Sequence, residues 1–193
     1  MKMNLRIPAV LIMSFALAAL SYAQDASVER EADHQALREL LKKAVHAINN
    51  QNIAELQDCF SKEFVFISSD QTVITNGDAL VKYYDQLFKN AEAPISKMET
   101  EVNADILTRF TDANAGYCFG TSLDTYTLKD GRKVKMQNKW TAALAKENGA
   151  WKAAVVHVGV NFLDNPVMTL RTMSIWRKVG IALHLAKPPP GLE

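Results

Sequence analysis

The sequence has few of the residues that form metal centres or disulfide frameworks. It contains two cysteines, Cys59 and Cys118, and four histidines among 193 residues, and neither cysteine belongs to a CxxC pair. The histidines are scattered, so no spacing typical of zinc or iron ligands occurs. We therefore expect no metal and no cofactor. We expect two buried free thiols, although an oxidising compartment also permits a disulfide between them.

An excess of positive charge is also missing. The chain has 22 Lys and Arg against 21 Asp and Glu, a net charge of +1. The first 23 residues contribute +2 and residues 167–193 contribute +3, so residues 24–166 carry −4. This acidic body argues against nucleic acid as a partner, because nucleic-acid binding needs positive charge to neutralise phosphates. The sequence also lacks a Gly-rich phosphate loop and a Ser-His-Asp order.

The N-terminus carries the longest uncharged apolar run. Lys2 and Arg6 precede an apolar stretch from Ile7 to Leu20, and Ser21-Tyr22-Ala23 provides the small residues of a cleavage site. The run is shorter than the roughly 20 residues of a membrane-spanning helix. We therefore predict a signal peptide over 1–23, and a periplasmic or secreted protein after cleavage.

The remaining chain divides into three parts, at 24–32, 33–163 and 164–193. The first is a polar lead-in, the second a single domain, and the third a peripheral helix with a Pro-rich end. In the domain, apolar periodicity predicts helices at 34–50, 52–60 and 78–90. Strand patterns cover 64–68, 72–75, 97–110, 115–128, 133–146 and 151–163. Helices that precede a long antiparallel meander indicate an α+β fold.

One turn signal sets the expected register between the strand patterns at 115–128 and 133–146. A two-residue turn at Asp130-Gly131 places Leu123 opposite Asn138. On this register Asn138 and Trp140 face the interior, while Asp124 faces outward. A buried amide such as Asn138 indicates either a satisfied core residue or the polar spot of a ligand cavity.

The turn at Asn148-Gly149 leaves the direction of His157 open. A two-residue loop places His157 beside Trp140, whereas a bulge at Gly149 places Val156 there. The strand face that contains Val156 is the more apolar one, which favours the bulge and puts His157 on the outer face. By the register of the preceding hairpin, Cys118 also faces outward.

The order of elements resembles the nuclear transport factor 2-like fold, a curved sheet wrapped round three helices. The resemblance is to its SnoaL-like and ketosteroid isomerase-like families, which include enzymes and binding modules. The run Asn161–Pro166 also resembles the end of an exported bacterial subgroup of unknown function. The stretches that carry the family resemblance are Ala44–Asn49 with Ile53–Leu56, Phe60–Ser61 with Phe64–Phe66, and Asn148–Lys152 with His157.

The resemblance implies a cavity between the sheet and the helices. We assign Asn138, Trp140, Tyr84 and His157 as its candidate ligand pocket, with no catalytic residue. The isomerase family has its catalytic Asp at the position of Ser68, and the first helix has no Tyr to hold an enolate oxygen. We therefore predict an exported, non-catalytic domain that binds a small apolar ligand or a protein partner. A small-molecule isomerase or lyase remains the alternative, and we expect a homodimer through the outer sheet face.

The C-terminal segment has its own helical pattern over 167–186. Arg177 and Lys178 interrupt its apolar residues, which argues against a spanning helix. The stripe therefore packs on its own domain or dimer partner, or it lies on an anionic membrane surface. Its residues are Met168, Thr172, Trp176, Val179, Leu183 and Ala186.

Overall fold

The computed structural model describes residues 30–161, 169, 171–189 and 191. The predicted signal peptide and most of the lead-in lie outside the described residues, and so does the run 162–168. The described part of the chain forms one mixed sheet with helices packed on one of its faces.

Two helices precede the first strand, and a third helix follows the second strand. α1 covers 30–49, α2 covers Ile53–Gln57 and α3 covers Gly77–Phe88. The side chain of Asn52 accepts a hydrogen bond from the Glu55 N–H at 3.2 Å, which begins α2. Such caps satisfy N–H groups that a helix start leaves unpaired. The three predicted helices are therefore confirmed to within a few residues.

Seven strands form the sheet, in the order β2-β1-β7-β6-β5-β3, with β4 also paired to β5. All neighbours are antiparallel except β1 and β7, which are parallel. The predicted α+β fold with a curved antiparallel sheet is confirmed, with one parallel pair in addition. The strands are β1 (Phe60–Ile67), β2 (Val73–Ile74), β3 (Ile95–Ala104), β4 (Arg109–Phe110), β5 (Ala115–Leu128), β6 (Lys133–Glu147) and β7 (Ala150–Val160).

The hairpin between β5 and β6 has a three-residue loop instead of the predicted two-residue turn. The Leu128 N–H donates to the Arg132 carbonyl at 2.8 Å, and the Gly131 N–H donates to the Leu128 carbonyl at 3.0 Å. Gly131 has a φ of +86°, a left-handed conformation that glycine adopts without steric cost. The loop is thus the three-residue type that closes with a glycine bulge.

This extra loop residue shifts the pairing of β5 by one position. Asn138 pairs with Ser122 and not with Leu123. Because successive side chains in a strand point to opposite faces, the shift reverses every side chain of β5. Asp124 and Cys118 therefore face the interior, and the predicted outward direction of both is wrong.

The hairpin between β6 and β7 does turn in two residues, with φ of +50° at Asn148 and +80° at Gly149. One extra residue then enters β7 as a bulge further along the strand. Trp140 pairs with Val158 as a result, and His157 pairs with Thr141, whose side chain is exposed. His157 lies on the outer face, as the apolar pattern favoured, although the bulge is not at Gly149.

Two apolar clusters fill the space between the helices and the sheet. The first joins the helices to β1 and β2 and includes Ile74 and Leu80, both almost fully buried. The second joins Leu37 of α1 to β5, β6 and β7 around Trp140 and Trp151. Between these clusters the packing leaves a cavity against the inner face of the sheet.

Candidate functional site

The cavity has a volume of about 610 Å³. The helices α1 and α3 form one wall, and the inner faces of β3, β5, β6 and β7 form the other. Most of its lining side chains are apolar, which is typical of sites for small organic ligands. Representative apolar members are Leu41, Met98, Met136, Trp140, Val156 and Val158.

A buried carboxyl group, Asp124 of β5, interrupts this apolar wall. It is 4% exposed and lines the cavity. Thr100 Oγ1 donates to its Oδ1 at 2.6 Å, and Asn138 Nδ2 donates to its Oδ2 at 2.7 Å. The Tyr126 hydroxyl also donates to Oδ2 at 3.3 Å. Burial raises the pKa of Asp124, and these hydrogen bonds oppose that shift without cancelling it.

The neighbouring strands and α1 hold the partners of Asp124 in position. Thr100 on β3 pairs directly with Asp124 on β5. At the free edge of β3, the Asn49 side chain bonds both backbone groups of Thr100, its Nδ2 to the carbonyl at 3.1 Å and its Oδ1 from the N–H at 2.7 Å. The end of α1 is thereby fixed to the strand that carries a partner of the carboxyl group.

A second carboxyl group, Asp70, lies in the loop between β1 and β2 and also lines the cavity. The Ser68 hydroxyl donates a short hydrogen bond to it, and the Thr72 N–H donates at 3.0 Å. Burial pushes the pKa of Asp70 upward, but these hydrogen bonds outweigh burial and lower it. Two carboxyl groups whose pKa values are shifted in opposite directions therefore line the cavity, Asp124 buried and Asp70 exposed.

Two tyrosines connect the surroundings of these carboxyl groups. Tyr83 on α3 interacts with Ser68 and Asp70, and Tyr126 on β5 interacts with Ser69 and Asp124. Burial raises the pKa of both phenols, so both remain protonated donors at neutral pH. Two carboxyl and two phenol groups therefore lie together in a mostly apolar cavity, and we call this group the polar end.

Of the four predicted pocket residues, two line the cavity and two lie outside its wall. Tyr84 and Trp140 line the cavity, and Trp140 Nε1 donates to the Thr121 carbonyl at 3.2 Å. Asn138 is 1% exposed and lies behind Asp124, outside the cavity wall. Its Oδ1 has no hydrogen-bond partner among the described residues. His157 does not line the cavity, because the bulge in β7 turns it to the outer face.

The polar end is the part of the site that the sequence reasoning missed. The two-residue turn predicted at Asp130-Gly131 places Asp124 on the outer face, and Asp70 lies two residues beyond Ser68, where the isomerase family has its catalytic Asp. Tyr83, which the predicted pocket does not include, lines the cavity together with its neighbour Tyr84. A three-residue loop at Gly131 was the signal that would have located Asp124.

The described residues contain no group of three or more His, Cys, Asp or Glu side chains placed to hold a metal ion. None of the described helices is long and apolar enough to cross a membrane.

The fold and the cavity define a class of cone-shaped α+β domains that enclose a pocket. The SnoaL-like domain family matches residues 37–160, and the chain belongs to this family. No curated protein matches the sequence.

Solved structures share the backbone of this domain at low sequence identity. The hexachlorocyclohexane dehydrochlorinase LinA type 3 from Novosphingobium barchaimii LL02 is 12% identical, with a TM-score of 0.61 over 70% of this chain and 91% of that chain. A ketosteroid isomerase-like protein from Erwinia carotovora atroseptica SCRI1043 is 17% identical, with a TM-score of 0.53 over 64% and 92%. An NTF-2 like protein of unknown function from Shewanella oneidensis MR-1 is 16% identical, with a TM-score of 0.51 over 65% and 97%. At these identities the likeness shows the fold alone.

Proposed function

We propose that this protein binds a small, mostly apolar molecule with one polar group in the cavity of its SnoaL-like domain. The observation that carries this proposal is a cavity of about 610 Å³ whose walls are mostly apolar and which contains the polar end. Apolar walls supply affinity by removing ligand surface from water, and a few convergent polar groups fix orientation. When protonated, the Asp124 carboxyl at the polar end can donate a hydrogen bond to a carbonyl or hydroxyl oxygen of the ligand.

The test compares a large side chain that points from β6 into the cavity with the same side chain on the opposite face of β6. Ala142 lines the cavity, and its neighbour Ala143 is exposed on the outer face of the same strand. We expect Ala142→Phe to weaken binding of the neutral apolar dye N-phenyl-1-naphthylamine by at least about tenfold, because the added ring displaces it. Ala143→Phe should leave dye affinity unchanged. Equal affinity of the two variants, with both folded by circular dichroism, would contradict the proposal.

A second candidate function is proton transfer on that ligand, as in an isomerase or lyase. Asp70 and Asp124 favour it, because two carboxyl groups with oppositely shifted pKa values in one cavity are typical of an acid and a base. The lowered pKa makes Asp70 the candidate base, and the raised pKa makes Asp124 the candidate acid or hydrogen-bond donor. Deuterium exchange at the carbon next to a ligand carbonyl, lost in Asp70→Asn, would support catalysis.

We also propose that the protein is exported and forms a homodimer through the outer face of the sheet. The outer face of β5 exposes large apolar side chains, including Tyr117 at 42% and Phe119 at 41%. A two-fold contact would bury the same patch on both copies. Sedimentation velocity should show a dimer, and Phe119→Glu should dissociate it. The control Val73→Glu, at an exposed residue on β2, should leave the dimer intact.

A further inference from the structure

The helix of the C-terminal segment, α4 (Ile175–Ala182), presents apolar side chains to solvent. Ile175 is 69% exposed, Trp176 is 82% exposed and Val179 is 42% exposed. At about 100° per residue these side chains, with Leu183, fall on one arc about 100° wide. Ile181 on the opposite side is half-buried, so the arc is the side of α4 that the rest of the chain leaves uncovered. We call it the α4 apolar arc.

The segment after α4 returns to the domain. The Lys135 N–H of β6 donates to the Gly191 carbonyl at 2.7 Å, and Pro189 is buried. This contact lies on the part of β6 that extends beyond its pairing with β7. No described residue after Asn161 lines the cavity. The helix is therefore tethered at the domain surface and does not fill the ligand cavity.

The described charged residues of the C-terminal segment all have positive side chains. The described residues from 169 onward include Arg171, Arg177, Lys178 and Lys187 and no Asp or Glu. Arg177 and Lys178 flank the arc on opposite sides at 100° per residue. No salt bridge among the described residues involves any of the four bases.

We propose that α4 docks the protein on an anionic lipid bilayer, with the apolar arc below the headgroups. A Trp and aliphatic side chains on one face with basic residues beside them are the composition of interfacial helices. The basic residues then meet anionic headgroups, while the acidic body stays away from the surface. A second copy fits less well, because a two-fold contact would bring the same bases together without acids to pair them. The proposal does not depend on what the cavity binds.

The test uses the chain from Gln24 onward, which retains every described residue. We expect it to float with phosphatidylcholine vesicles that contain phosphatidylglycerol, and not with pure phosphatidylcholine vesicles. Salt at 0.5 M, roughly the range where the screening length falls towards 3 Å, should weaken the binding strongly. Sedimentation velocity of the same chain without vesicles reports its oligomeric state.

Two double variants separate the contributions of the apolar and the basic side chains to vesicle binding. Ile175→Ser with Trp176→Ser should weaken vesicle binding by at least about tenfold. Arg177→Gln with Lys178→Gln should also weaken it, by about 30-fold, because two bases that meet the anionic headgroups are then neutral.

Matched controls are Val73→Ser, at an apolar residue 60% exposed on β2, and Lys62→Gln with Lys82→Gln on the body. The controls should bind vesicles like the unmodified chain. No flotation of the unmodified chain, or equal flotation of all variants, would overturn the proposal. It would also be overturned if Ile175→Ser with Trp176→Ser turned a dimer into a monomer without vesicles, because a second copy would then cover the arc.

Discussion

Two aspartates in different regions of the domain are equally buried, at 4% exposed, yet their surroundings differ in charge. Asp33 in the first described turn of α1 contacts the last hairpin, where Lys146 Nζ and Trp151 Nε1 donate to its Oδ1 at 2.8 and 2.7 Å. Asp124 in the cavity receives hydrogen bonds from neutral side chains. Exposed surface alone therefore does not distinguish them.

The partners decide what each aspartate does. Burial pushes the pKa of Asp33 upward, but hydrogen bonds from Lys146 and Trp151 and the nearby positive charges outweigh it and lower the pKa. No cation compensates burial at Asp124, and its pKa is raised. Asp33 is thus a charged anchor between α1 and the sheet, whereas Asp124 is a carboxyl group that the fold keeps easy to protonate. A carboxyl group that lines a cavity and has a raised pKa, such as Asp124, is typical of functional sites.

The largest effect should come from removing the anchor. Asp33→Ala leaves the Trp151 N–H and the Lys146 ammonium without their partner, so we expect the free energy of unfolding to fall by about 3 kcal/mol. Urea denaturation measures this loss. The exposed acid Glu31 on the same helix provides the control, and Glu31→Ala should cost less than about 1 kcal/mol. Similar losses for both variants would show that Asp33 is no anchor.

A smaller loss should follow from removing the support behind Asp124. Asn138→Leu deletes the 2.7 Å hydrogen bond to Asp124 and should lower the free energy of unfolding by about 1–3 kcal/mol. Because Asn138 lies outside the cavity wall, dye affinity should change less than in Ala142→Phe. Gln137→Leu, at the exposed neighbouring position on β6, is the control. A loss of dye binding with unchanged stability would restore Asn138 as a ligand contact.

The smallest effect should be the opposite pH dependence of the two aspartates. Asp33 has a lowered folded-state pKa, so its stabilising contribution is present above its unfolded pKa and is lost as pH falls through the folded value. Asp124 has a raised folded-state pKa, so its contribution is present below its unfolded pKa and is lost as pH rises through the folded value.

Asn variants at the two positions test these signs. Relative to the unmodified chain, Asp124→Asn should gain stability between pH 3 and pH 7, and Asp33→Asn should lose it. Both changes should be on the order of 1 kcal/mol. Urea denaturation at the two pH values measures them, and changes of the same sign in both variants would contradict the comparison.

The predictions from local patterns were accurate where one segment contained the whole signal. The strand pattern over 115–128 matches β5, and the helices follow their apolar stripes and asparagine caps. The direction of β5 side chains was wrong because it depended on the loop length at Asp130-Gly131, and two- and three-residue loops both suit this dipeptide. A difference of one residue in this loop therefore changes the predicted direction of Asp124 from the cavity to the outer face.

The sequence by itself determined the helices, the long strands, the α+β order and the resemblance to the SnoaL-like family, because these follow from spacing and capping within a segment. Only the tertiary structure decided which face of β5 and β7 lines the cavity, and so which acids belong to it. The β5–β6 loop and the bulge in β7 fixed those faces. Because strand side chains alternate with a period of two, a one-residue difference between strands moves a residue from solvent to the cavity.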